Sequence, residues 1–124
     1  MSYAYDDQNI FAKILRGEIP CNKVYEDDHV LAFHDIQPQT AVHVLIIPKG
    51  PYVSWNDFSE KASDGEIAAL TRATGRIAKE LGVEESGYRV LSNCGGDAHQ
   101  EVPHLHLHLF AGQDLGRMIK PADK

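Results

Sequence analysis

Cationic side chains are scarce in this chain of 124 residues, in which 12 lysines and arginines stand against 18 aspartates and glutamates for a formal net charge of -6. A surface so acidic carries no basic stripe to neutralise a phosphate backbone, and duplex nucleic acid is not an expected partner. Cysteine is scarcer still. Cys21 and Cys94 stand alone with no C-x-x-C spacing, which argues against a disulfide framework or a zinc knuckle and for two reduced thiols. No apolar run approaches membrane-spanning length, and residues 1–9 carry Asp6 and Asp7 where a signal peptide has a basic start and an apolar middle. The expectation is a cytoplasmic protein with no membrane partner. Internal repeats and low-complexity segments are absent as well.

What is present suffices for one domain over residues 1–124, because 43% of the chain is hydrophobic and a chain of this length closes a core without staples. Asn9 is placed to cap a short helix whose apolar positions Ile10, Phe11, Ile14 and Leu15 share a face, closed by Gly17 and Pro20. Residues 23–26 and 30–34 read as a hairpin about Asp27-Asp28, residues 35–40 as a loop, and residues 43–47 as a buried strand ending at Pro48. Ser63 and Glu66 form a capping-box pattern ahead of Ile67, Leu70, Thr74, Ile77 and Leu81, with Gly82 beyond, which predicts the longest helix. A strand over residues 88–92 follows, then the loop 93–98, whose Gly95 and Gly96 would let backbone N–H groups approach an anion. Helix, three strands, helix, two strands lacks βαβ alternation. The pattern favours an α+β fold with a mostly antiparallel sheet.

His104-Leu105-His106-Leu107-His108-Leu109 carries the chemistry. Read as a strand, it places three imidazoles on one face and three leucines on the other. His104 and His108 would then lie about 13 Å apart along the strand, too far to share one tetrahedral zinc. His106 and His108 with His43 still satisfy an H-x-H ligand pattern, so a zinc-binding protein is one open reading. The other is phosphorus chemistry. A neutral imidazole is a good nucleophile and, once phosphorylated, a good leaving group, and its neighbours can donate to phosphate oxygens or the departing group. His106, in the middle, has support from both sides.

The run 104–110, H-φ-H-φ-H-φ-φ, resembles the signature of the histidine triad (HIT) superfamily of nucleotide hydrolases and transferases. Residues 9–14 and 17–20, 31–38, 43–49 and 87–89 extend the likeness to its Hint branch, over about residues 9–112, with tails 1–8 and 113–124 peripheral. The resemblance implies a five-stranded antiparallel sheet with two helices, joined to ten strands across a homodimer. It also implies metal-free hydrolysis of adenosine 5'-phosphoramidates to AMP and an amine, with AMP, GMP or their phosphoramidates as partners. By position His106 matches the nucleophile, His108 and His43 the phosphate and leaving-group partners, and His104 the residue that orients the nucleophile through its carbonyl. Asp35 matches the ribose ligand, Phe11, Ile14, Phe33, Ile36 and Leu45 the purine pocket, and Asn93 a residue near phosphate and ribose. A Fhit-like dinucleoside polyphosphate hydrolase, or a zinc-binding or nucleotide-sensing protein with little turnover, is the alternative.

The loop before the triad departs from that pattern. Glu101 stands where some members have a serine that donates to the phosphate or leaving group; an ionised carboxylate cannot donate and repels an anion. A cationic amine on the substrate is a partner that suits it better. His99 replaces a small residue and would bring a fifth histidine toward the phosphate, and with Val102 it completes the expected nucleotide-contacting set.

Overall fold

The computed structural model describes residues 4–122. Its elements run α1 (Ile10–Leu15), β1 (Lys23–Glu26), β2 (Val30–His34), β3 (Val42–Pro48), α2 (Trp55–Lys61), α3 (Asp64–Glu80), β4 (Tyr88–Leu91) and β5 (Leu107–Ala111). The strands form one antiparallel sheet in the order β1-β2-β3-β5-β4, so the late strand β5 is inserted between β3 and β4.

The caps determine where the helices start. The Asn9 side chain accepts the Ala12 N–H at 3.0 Å and opens α1. Ser63 and Glu66 close both halves of the capping box at the head of α3. The buried stripe of α3, made of Leu70, Ala73, Ile77 and Ala78, packs on the sheet face that carries Val30, Ala32, Val44, Ile46, Leu107 and Leu109. The opposite face carries Leu31, Phe33, Leu45 and Ile47, and Phe11 of α1 packs against them. The period-2 alternation of β2 and β3 therefore supplies two cores, one under each helical layer.

Two sequence expectations need correction. A third helix, α2, was not foreseen: Ser54 makes no side-chain cap bond, and only Asp57 and Phe58 of the helix are buried, so the segment has no apolar periodicity to read. The histidine run is a strand only from Leu107. Before it, the Leu105 N–H goes to the Tyr52 carbonyl, the His104 carbonyl to the His106 ring and the His106 carbonyl to the Ser92 hydroxyl, so these groups are not free for a ladder. The side-chain alternation nevertheless continues, since Leu105, Leu107 and Leu109 all enter the α3-side core.

Candidate active site

Register brings the histidines together. Leu45 of β3 pairs with His108 of β5, and His43 pairs with Phe110, which puts His43 and His108 on the sheet face opposite α3. Their rings lie 5.2 Å apart, with Phe110 stacked on His108 and 4.4 Å from His43. His106 meets the His108 ring at 5.0 Å and the edge of Phe11 at 4.9 Å.

The hydrogen bonds assign the tautomers, because a carbonyl or a backbone N–H admits only one ring state. His106 Nδ1 lies 2.7 Å from the His104 carbonyl and must carry the proton, which leaves Nε2 with its lone pair. His104 Nε2 donates to the Pro48 carbonyl at 2.8 Å, so its Nδ1 is an acceptor and takes the Tyr5 hydroxyl at 2.6 Å. The Gln39 N–H donates to His43 Nδ1 at 3.1 Å, so His43 carries its proton on Nε2 and donates it to His108 Nδ1 at 2.9 Å. His108 is thereby left with Nε2–H. One bare nitrogen and one N–H donor thus sit on neighbouring triad rings.

Burial keeps these rings neutral. It pulls His104 down to about 4 against its bond to Pro48, and pulls His108 down to about 4 with help from the neighbouring His106 and His43. Burial also lowers His106, opposed by the His104 carbonyl and by the carboxylates of Asp35 and Glu101, and lowers His43, opposed by Asp35.

A cavity of about 470 Å³ opens over this face, a size that suits a small organic ligand. Phe11, Ile14, Phe33, Ile36 and Leu45 line its apolar part. Asp35, Asn93, His99, Glu101 and Val102 line the rest together with His106 and His108. His43 and His104 lie behind that wall, 2% and 0% exposed. One Asp35 oxygen accepts the Gln37 N–H at 2.9 Å and the other lies 3.5 Å from His43 Nε2. His99 occupies the left-handed region at φ 58°, so the backbone keeps a glycine-like conformation despite the larger side chain. Gly95 and Gly96 do not line the cavity, and the Gly95 N–H is taken by the Gln100 side chain, so the loop amides are not the anion cradle that the sequence suggests.

Zinc ligation has a different geometry from the one expected. Among the described residues the converging ligand atoms belong to Asp35, His43 and His108, within 4.8 Å of one another; His106 is not part of the group. Two of these nitrogens already share the His43–His108 hydrogen bond. A cation there would have to replace it.

Residues 16–115 match the family described as HIT domain. The chain belongs to this family. An uncharacterized 13.2 kDa HIT-like protein of Azospirillum brasilense is 61% identical over 119 residues, covering 96% of this chain and 98% of the relative. A purine nucleoside phosphoramidase of Escherichia coli K12 is 41% identical over 113 residues, covering 91% and 94%. Among solved structures, a histidine triad protein from Clostridium difficile superimposes with a TM-score of 0.81 at 44% identity, covering 92% of this chain and 98% of that one. The HIT fold and the five-stranded antiparallel sheet follow for this chain. No helix of the described residues is long and apolar enough to cross a membrane.

Sequence reasoning missed several wall residues. Ile10, Ile19, Cys21 and His34 line the cavity, as do Gln37 and Gln39. The signal for His34 is its position at the end of β2 beside Asp35. Tyr5 was missed altogether.

Proposed function

We propose that this HIT protein is a cytosolic purine-nucleotide phosphoramidase that works through an adenylyl-histidine. One observation carries the reading: His106 is a neutral ring whose Nδ1–H is held by a carbonyl, so the bare Nε2 belongs to a side chain on the cavity wall. Nε2 attacks the α-phosphorus and the phosphorus–nitrogen bond breaks; the amine departs with a proton given by His108, which the charge of the bound phosphate makes cationic and which returns to the neutral ring. Water then attacks phosphorus and returns a proton to His108. His106 is released as the neutral ring, and AMP leaves. Asp35 suits the ribose hydroxyls, and the Phe11, Ile14, Phe33, Ile36 and Leu45 slot suits the purine.

The cavity charge bears on substrate class. Its described walls hold Asp35 and Glu101 but no lysine or arginine. A phosphoramidate monoester with a single negative charge is tolerated there better than a polyphosphate, whose charge calls for cationic partners. This weighs against a Fhit-like dinucleoside polyphosphate hydrolase. The phosphoramidase name of the 41%-identical E. coli relative supports the same reading.

The homodimer suits the sheet edges. β1 has a register irregularity, and its Lys23 pairs with Glu26, whereas β4 presents Tyr88 and Val90 at 41% and 37% exposure. An open strand with exposed apolar side chains is an invitation to pairing, and β4 against its symmetry mate would give ten strands.

The test is incubation with an adenosine 5'-phosphoramidate, rapid quenching, and mass spectrometry of the peptide spanning residues 104–110. An AMP-sized adduct on His106 with release of amine is expected, unchanged by chelator. Turnover of a diadenosine polyphosphate in preference to the phosphoramidate, or turnover without any adduct, would overturn it.

A further inference from the structure

The amino-terminal segment reaches the catalytic face from outside the matched family region, which begins at residue 16. It is pinned to the head of α1. The Asp6 carbonyl accepts both the backbone N–H and the side-chain amide of Asn9, at 3.3 and 2.7 Å, and the Arg16 guanidinium donates to the Asp7 carbonyl at 2.7 Å. Asn9 itself is buried and caps the helix. This turn delivers Tyr5 to His104, where the two rings meet edge to face at 5.6 Å and the hydroxyl donates to Nδ1 at 2.6 Å.

His104 has no exposure and is held at both nitrogens, by Tyr5 on one side and the Pro48 carbonyl on the other. Its own carbonyl is the acceptor that holds His106 Nδ1. A buried ring with one of these two bonds removed leaves an unpaired nitrogen and turns toward another partner, and its backbone carbonyl moves with it. We propose that Tyr5 is a positioning residue for the nucleophile: its hydroxyl, acting through the His104 ring, fixes the carbonyl that keeps His106 protonated on Nδ1 and bare on Nε2. The inference rests on the reading of His106 as the nucleophile. The tautomer it describes exists with or without turnover.

The experiment uses the full chain and Tyr5→Phe, which keeps the ring contact and removes only the hydroxyl. Nitrogen NMR of the imidazoles in the ligand-free protein reads the His106 tautomer directly. Wild type is expected to show one protonated Nδ1 and one bare Nε2, and Tyr5→Phe to draw the two shifts together as a second tautomer becomes populated. Steady-state kinetics on an adenosine phosphoramidate should show kcat lower by about tenfold with KM within about twofold, the pattern of lost orientation rather than lost binding. In a His104→Ala background the same Tyr5 change should have no further effect, because the relay is already cut. 3-Fluorotyrosine at position 5, which preserves the fold and strengthens the donor, should hold the single tautomer.

An unchanged His106 tautomer in Tyr5→Phe overturns the proposal, as does an equal loss of kcat in both backgrounds. If wild type gives the single tautomer and Tyr5→Phe disperses it while neither protein turns over the phosphoramidate, the phosphoramidase reading fails and the Tyr5 relay stands.

Discussion

His43 Nε2 lies 2.9 Å from His108 Nδ1, and the Gln39 N–H behind His43 makes that bond run in one direction only. The backbone of the loop after β2 thus dictates which nitrogen of His108 carries a proton toward the cavity. Replacing His43 with alanine removes the donor and lets His108 protonate on Nδ1 instead, so leaving-group protonation suffers. The expected loss is about tenfold to a hundredfold in kcat. The loss should be largest for poor leaving amines and small for an acidic one such as a nitroaniline; a uniform loss across amines would refute the assignment.

His106→Ala should abolish turnover and adduct formation together, because no neighbouring ring has a bare nitrogen in the same place. A decrease of less than about tenfold in kcat would be incompatible with covalent attack by this side chain. His106→Ala should also leave nucleotide binding by isothermal titration within a few-fold of wild type, since the residues proposed for the purine and ribose lie elsewhere on the cavity wall.

The buried histidines make stability fall on the acid side of neutrality. Burial holds His104 and His108 down to about 4 and lowers His106, each from an ordinary 6.5, so the unfolded chain binds their protons first. The stabilisation linked to each ring is complete above pH about 6.5 and drains as the pH falls toward the folded value, at up to ~1.4 kcal/mol per pH unit per proton. Urea midpoints measured between pH 7 and 5, above the range in which ordinary carboxylates titrate, should decline steadily. A flat profile over that window would mean that the rings are solvated in the folded protein.

How much of this was legible in advance follows from the range of the interactions involved. Helices α1 and α3 are written locally, in Asn9 and in the Ser63–Glu66 box, and both start at those caps. Strands β1 and β2 show their limits through the Asp27-Asp28 turn. The alternation of 104–109 announces two faces, and it holds even where the ladder does not. The extent of β5 was not legible, because it depends on Tyr52 and Ser92, which reach the run from other segments. The Tyr5–His104 bond joins residues 99 positions apart, and neither spacing nor composition carries such a contact. The fate of the glycine loop depended in the same way on Gln100, whose side chain took the amide reserved for an anion.

Glu101 is exposed at the cavity wall, close enough to His106 for its charge to oppose the effect of burial on that ring. In the proposed function a carboxylate there favours an amine that carries a positive charge. Glu101→Ser should raise kcat/KM for a neutral aryl amide of AMP relative to a lysine-like cationic amide, changing the ratio by about twofold to fivefold, a ΔΔG typical of one exposed charge pair. The change should shrink in high salt, since exposed charges are screened. An unchanged ratio at low salt would remove Glu101 from substrate selection.

The β4 edge offers the sharpest test of assembly. Val90 is 37% exposed on a strand whose inner side pairs with β5, and β4 has no fully buried residue, its side chains alternating between exposed and half-buried. A dimer that continues the sheet through β4 would cover Tyr88 and Val90, and a lysine at position 90 would then place like charges near each other across the two-fold axis. Val90→Lys should therefore sediment at the 13.8 kDa of one chain while wild type sediments at twice that mass. The unfolding midpoint of the separated chain would depend less on concentration than that of wild type. If Val90→Lys and wild type share one mass, β4 is not the joining edge, and the bulged, charge-paired β1 becomes the alternative to examine.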